Sequence, residues 1–145
     1  MELIVKHFNE LTTGELHRIY VLRSAVFVVE QTRVCQEPDE ADADAYHVWL
    51  QDADGIQAYL RILPRGVHFD EVSIGRVIAV KRRQGLGSKI LAEGIRAAKE
   101  KLNAESIVME AQSYAREFYE KAGFVCVGDD FLEDGIPHVK MRLEL

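Results

Sequence analysis

Arg82-Arg83-Gln84-Gly85-Leu86-Gly87 stands between an apolar run at 72–80 and a helical pattern that opens at about Ser88. A strand that feeds a glycine-rich, arginine-bearing turn and then a helix is a device for holding phosphate. The glycines let the backbone come close to a ligand and turn its N–H groups one way. The helix start adds the positive end of its dipole, and the two arginines add permanent positive charge. The same stretch constrains the fold, because a strand–helix–strand crossover is the usual parallel unit of a sheet.

The remaining elements fall around that unit. Residues 3–8 read as a short first strand. Thr12 or Thr13 caps a helix over 14–29, with Glu15 in its first turn and Leu16, Ile19, Tyr20, Arg23 and Phe27 at near-helical spacing. The β-branched Val26-Phe27-Val28-Val29 is where this helix ends or reforms. Strands at 47–51 and 56–63 flank Asp52-Ala53-Asp54-Gly55, an Asp-Gly hairpin signal. A strand at 71–80 precedes the helix 85–102, whose Leu86, Ile90, Leu91, Ile95, Ala98 and Leu102 repeat on one face. A strand at 106–111, a short helix at 114–122 ended by Gly123, and strands at 124–127 and 139–143 complete the chain. The predicted class is a mixed α/β sheet, antiparallel in its first half, with a parallel pair around the Gly85 helix.

Composition narrows the function. The 145 residues fit one domain with one core, residues 1–145. A net charge of −6 argues against a nucleic-acid binder with a broad basic surface. No apolar run approaches a membrane span, and Leu3-Ile4-Val5, between Glu2 and Lys6, is too short for a signal-peptide core; the expectation is a soluble, cytoplasmic protein. Five acids crowd Glu37-Pro38-Asp39-Glu40-Ala41-Asp42-Ala43-Asp44. This run reads first as a solvated loop and second as a rim that attracts a cationic amine. Cys35 and Cys126 form no metal or redox spacing and read as free, mostly buried thiols. The five histidines are scattered, so no metal is expected.

Three phosphate motifs compete for the glycine turn. A Walker A loop needs Gly-Lys-Ser/Thr, and here the order is Gly87-Ser88-Lys89. A dinucleotide fingerprint finds Ile90 where its third glycine belongs. The pattern Arg/Gln-x-x-Gly-x-Gly/Ala after a strand fits in full, and with it the chain resembles the GNAT superfamily of acyl-CoA-dependent N-acetyltransferases. Ala115-Arg116-Glu117-Phe118-Tyr119-Glu120-Lys121-Ala122-Gly123-Phe124 resembles that superfamily's second signature. Val26-Phe27-Val28-Val29-Glu30-Gln31, Ala111-Gln112 and Phe131-Leu132-Glu133-Asp134-Gly135-Ile136-Pro137-His138 resemble its ElaA-type and YjcF-type bacterial branch. The matching blocks run over almost the whole chain. One departure is the connection Lys81-Arg82-Arg83-Gln84, shorter than is usual in the family, which makes the turn tighter.

The resemblance implies a GNAT fold in which the strand before the turn splays from the next one. It implies that the backbone of Ile78, Ala79 and Val80 receives the pantetheine arm of acetyl-CoA. The pyrophosphate is then expected over Arg82, Arg83, Gln84, Gly85, Leu86, Gly87 and Ser88. Tyr119 matches the tyrosine that faces the cofactor sulfur and is the expected general acid. Glu71, at the start of the cofactor strand, is the first expectation for a base, with Glu110 and His138 as alternatives. Gln112 is placed on the cofactor arm, and Glu30, Gln31, His47 and His138 on the acceptor side. The implied reaction is acetyl transfer to a primary amine of a small molecule or peptide by direct attack, with no metal, nucleic acid or membrane partner. A homodimer is expected by analogy alone. Two other readings compete with it: a non-catalytic acyl-CoA sensor or interaction module, and a nicotinamide-linked oxidoreductase using the imperfect glycine turn.

Overall fold

In the computed structural model, which describes residues 1–81 and 85–145, one mixed sheet carries the molecule. In chain order the elements are β1 (Glu2–His7), α1 (Thr13–Ser24), β2 (Tyr46–Asp52), β3 (Gly55–Leu63), β4 (Val72–Ala79), α2 (Leu86–Leu102), β5 (Ser106–Gln112), α3 (Arg116–Lys121), β6 (Val125–Cys126), β7 (Phe131–Glu133) and β8 (Ile136–Glu144). The strand order is β1-β2-β3-β4-β5-β8-β6, with β7 also paired to β8. Every described pairing is antiparallel except β4–β5, which is parallel as the crossover through α2 requires.

Helices pack on both faces. The α2 face buries Leu50, Leu60, Ile62, Ile90, Leu91, Ile107 and Met141, and Tyr119 and Phe124 extend the same cluster below α3. On the opposite face Ile19 of α1 packs with Trp49, Tyr59 and Ile78. α1 starts as its sequence predicts: Thr12 accepts the Glu15 N–H, and the Glu15 carboxylate accepts the Thr12 N–H. The predicted helix 14–29 does not run through in one form. It stops at Ser24 and continues as a wider π-helical turn, Ala25–Glu30, over the β-branched residues. A π turn inserts an extra residue per turn and re-aims the side chains that follow, and such turns gather at functional sites.

β4 and β5 pair only at Val72↔Ile107 and Ser73↔Val108. Beyond that point they diverge. A bulge forces the divergence: between Tyr59↔Ile78 and Arg61↔Gly75, Leu60 alone faces both Arg76 and Val77. Arg76 takes a left-handed φ of 55° there, an expensive backbone state for a residue with a side chain. A bulge twists its strand, and here it turns β4 away from β5.

The acidic run is where sequence reading and structure part. Only Glu40 and Asp44 are exposed as a solvated loop would have them; Glu37, Asp39 and Asp42 are held in ion pairs. Glu37 and Asp42 are 2% and 1% exposed and lie inside a cluster with three arginines from distant elements. Arg23 donates to both Glu37 carboxylate oxygens at 2.8 and 3.1 Å and to Asp42 at 2.6 and 3.1 Å. Arg61 donates to Asp42 at 2.9 Å and to Asp39 at 2.6 and 3.0 Å. Arg76 pairs through Nε with the Glu37 carboxylate and donates to the Glu37 carbonyl at 3.0 Å. Three carboxylates thus meet three guanidinium groups, which is what makes burial of so much charge tolerable. Burial alone would raise the Asp42 pKa, but hydrogen bonds and charge from Arg23, then Arg61, bring it down to about 2.

His47 belongs to this cluster and not to the acceptor side. It is fully buried; Nε2 donates to the Asp42 carbonyl at 3.1 Å, and Nδ1 therefore accepts from the Tyr59 hydroxyl at 2.7 Å. Burial holds its pKa down to about 4.

Two predictions follow from the cluster. Arg23→Ala strands buried carboxylates, and urea denaturation should show a loss of about 3–5 kcal/mol. His47 has a folded pKa of about 4 below its ordinary 6.5, so the unfolded chain binds more protons between those values. Unfolding free energy should therefore fall as pH drops through that window, by up to about 3 kcal/mol, and this slope should vanish in His47→Gln.

Candidate functional site

The divergence of β4 and β5 opens a cavity of about 980 Å³ that passes through the sheet. One wall is the inner edge of β4, from Ser73 through Gly75 to Val80. The other is the end of β5, Met109 to Gln112. Beyond Ser73 the β4 backbone has no partner on the β5 side, while its other edge stays bonded to β3. An unpaired strand edge is a template for an extended ligand.

At its upper end the cavity reaches Gly85, Gly87 and Ser88. Gly85 precedes α2 with a left-handed φ of 69° and offers no side chain to cap the helix. Among the described residues no side chain caps the first-turn N–H groups of this 17-residue helix, the arrangement that suits an anion. Gly87 is fixed by packing: a Cβ there would sit 3.3 Å from the Phe118 ring and 3.8 Å from the Ala79 Cβ. Leu86, predicted on the phosphate, turns its side chain into the core, leaving only its backbone for that role. Arg82, Arg83 and Gln84 lie outside the described residues.

Two families of side chains enter the cavity from opposite faces. From the α2 face come Ala115, Phe118 and Tyr119. Tyr119 is 8% exposed and packed edge-on against Phe118 and Phe124, at 5.0 and 6.0 Å between ring centres. Burial, with a lesser contribution from Tyr114, raises the pKa of its hydroxyl, so Tyr119 carries its proton at neutral pH. From the α1 face come Phe27 and Glu30 of the π turn and Gln31 just after it. Gln31 and Gln112 exchange amide hydrogen bonds, at 3.1 and 3.5 Å, across the mouth. Arg33 adds a second tie at 2.7 Å to Asp134.

Asp134 and Gly135 form a two-residue hairpin turn, both with positive φ, 51° and 77°. This is the primed turn that Asp-Gly favours. The sequence reading treated 128–137 as a connection and missed β7, although Asp134-Gly135 carries the same signal it used at Asp54-Gly55. The hairpin brings Glu133 and His138 to the cavity, beside Glu110 of β5. Burial, and then the nearby Glu133 charge, raises the Glu110 pKa.

Of the residues predicted for the site, Ile78, Ala79, Val80, Gly85, Gly87, Ser88, Gln112, Tyr119, Glu30, Gln31 and His138 border this one cavity. Glu71 does not. It lies before β4 at the joined end of the fork, against a smaller cavity of about 320 Å³. Its carboxylate accepts from Arg142 at 2.7 Å and Ser106 at 2.8 Å, and these bonds, Arg142 first, hold its pKa below the ordinary value. A carboxylate so engaged, away from the large cavity, is not placed to serve as its base. Arg76 and Glu37 also line the cavity and were missed, because only the folded chain brings them together. Cys35 and Cys126 are half-buried, and Cys126 Sγ accepts from Arg116 Nε at 3.0 Å. Among the described residues no cluster of histidine, cysteine and acidic side chains suits a metal ion, and no helix is long and apolar enough to cross a membrane.

Residues 14–145 match the model of the acetyltransferase (GNAT) domain. The chain is 40% identical over 149 residues to the UPF0039 protein C11D3.02c of Schizosaccharomyces pombe, covering 100% of this chain and 98% of that one. It superposes on an acyl-CoA N-acyltransferase of Pseudomonas aeruginosa with a TM-score of 0.91 and 36% identity, over 99% of each chain. On Escherichia coli ElaA the TM-score is 0.92 and the identity 32%, again over 99% of each chain.

The Gly87 contact predicts that Gly87→Val pries α2 from α3. Thermal or urea unfolding should report a loss of roughly 1–3 kcal/mol, the usual range for overpacking a filled contact.

Proposed function

The chain belongs to the GNAT acetyltransferase family, and from that premise we propose that it transfers an acetyl group from acetyl-CoA to a primary amine by direct attack on the thioester. The observation that carries this reading is that the inner edge of β4, left unpaired by β5 beyond Ser73, borders the same cavity as the start of α2 at Gly85, Gly87 and Ser88. That edge can pair an extended, amide-bearing arm, and the helix start can receive its diphosphate. No single-element binding site would need both.

The residues that would hold acetyl-CoA are the backbone of Ile78, Ala79 and Val80 for the pantetheine arm and the N–H groups from Gly85 to Ser88 for the diphosphate. Arg82 and Arg83, next to them in sequence, supply positive charge. When bound, acetyl-CoA brings an already activated acyl carbon. The chain's own task is alignment and proton handling. Tyr119 holds a proton in a dry environment at the α3 side of the cavity and donates it to the departing sulfur. The amine, on a small molecule or a peptide, enters from the opposite face past Glu30 and Gln31. The Gln31–Gln112 and Arg33–Asp134 ties border this entrance. Direct transfer needs no covalent enzyme intermediate, so neither cysteine is required.

Calorimetry should show acetyl-CoA binding, and at about 100 times its Kd the ligand should add about 2.7 kcal/mol to stability. Absence of binding at millimolar acetyl-CoA would refute the reading. Tyr119→Phe should keep that affinity and lower kcat by about 100-fold, the scale of general-acid catalysis. An unchanged kcat removes Tyr119 from the reaction.

A further inference from the structure

The register of β5, β7 and β8 gathers one more constellation on the acceptor side of the fork. His138 pairs with Gln112 on one flank and Phe131 on the other. Paired residues share a face, and Gln112 meets Gln31, just after the π turn, on the α1 face. Glu110 and Lys140, paired two residues further along, share that face. Tyr119 reaches the same cavity with the cluster on the opposite face.

The His138 side chain is 6% exposed, and its ring is stacked on Phe131 at 5.9 Å between centres. Nδ1 lies 2.7 Å from the Ile136 carbonyl. A carbonyl can only accept, so Nδ1 carries the hydrogen, and in the neutral ring Nε2 is a bare lone pair. Nε2 is 3.8 Å from the Glu133 carboxylate: beyond a hydrogen bond, but within ion-pair distance once the ring takes a proton. The residue that anchors the tautomer is thus the hairpin's own backbone, and the hairpin is pinned by Arg33–Asp134.

Resting on the acyl-transfer reading above, we propose that His138 is the proton acceptor for the incoming amine and that Glu133 is the residue that positions and steadies its charge. A protonated amine gives one proton to Nε2 and becomes the nucleophile. Its nitrogen then forms a bond to the thioester carbonyl carbon, and the carbon–sulfur bond breaks. The sulfur takes the Tyr119 proton, and the second proton leaving the nitrogen restores Tyr119. The proton on His138 passes to solvent along the half-exposed Glu133. Proton removal and proton donation thus occupy opposite faces of the gap between β4 and β5. The acceptor class this suits is an amine that arrives charged, since Glu110 and Glu133 both present carboxylates to the cavity.

The test is the pH dependence of coenzyme A release, followed by thiol detection at saturating acetyl-CoA with a mixture of n-butylamine, benzylamine and lysine methyl ester. The charged groups that face His138 are Glu133 from β7, Glu110 from β5 and Lys140 from β8 itself, with the Arg33–Asp134 pair at the hairpin tip. Wild-type kcat/KM should fall on an acid limb. His138→Gln should lose about 100-fold near neutral pH and abolish that limb, while binding acetyl-CoA as the wild type does. Glu133→Gln, a change at an exposed side chain, should move the limb to lower pH, because the imidazolium loses its neighbouring carboxylate. Release by the wild type with the same limb in His138→Gln overturns this proposal alone, and so does an unmoved limb in Glu133→Gln should His138→Gln fail to fold. No release by the wild type above the uncatalysed rate overturns the acyl-transfer reading and this proposal with it.

Discussion

The ion pairs between Arg76 and the segment Glu37–Asp39 hold the backbone state on which the rest of this molecule depends. A left-handed arginine inside a strand costs free energy, of order 1–3 kcal/mol. It persists because its guanidinium is fixed by a carboxylate that is itself fixed by Arg23. The buried cluster is therefore more than a means of neutralising an acidic loop. It ties α1, β3 and β4 together at the point where the sheet must open.

The opening gives one cavity two chemically different sides. The α2 side has a helix start without a side-chain cap and an aromatic cluster around Tyr119. The α1 side has carboxylates, an imidazole and amide ties. Such a partition suits a reaction in which one reactant is an anionic, extended thioester and the other a cation. Each can be recognised by its own surface, and the two meet only where the strands part. Because the unpaired edge belongs to a strand still bonded to β3, the ligand-facing backbone is held rigid while remaining unsatisfied on one side.

Local features were legible in the sequence because their causes are local. The α2 face follows from the spacing of Leu86, Ile90, Leu91 and Ala98, all buried as the period requires. The Thr12–Glu15 capping box and the Gly85 turn depend on neighbours within four residues. The parallel β4–β5 pair follows from chirality once a helix separates two strands. The β7–β8 hairpin is equally readable, through Asp134-Gly135. The ion-pair cluster of Glu37, Asp39 and Asp42 is not legible, because a charge pattern does not name its partners. Arg23, Arg61 and Arg76 lie 14 to 39 residues from the carboxylates they meet.

The amino-acid sequence by itself determined the sheet's mixed class, the position of the glycine-rich turn before α2 and the family signatures around Tyr119, since each rests on residue type at short spacing. Only the tertiary structure decided that Glu71 is an ion-pair partner, that His47 is buried and that His138, Glu133 and Glu110 face one cavity. Those assignments depend on strand register and on a bulge. A shift of one residue in register reverses every side chain, and no local spacing fixes it.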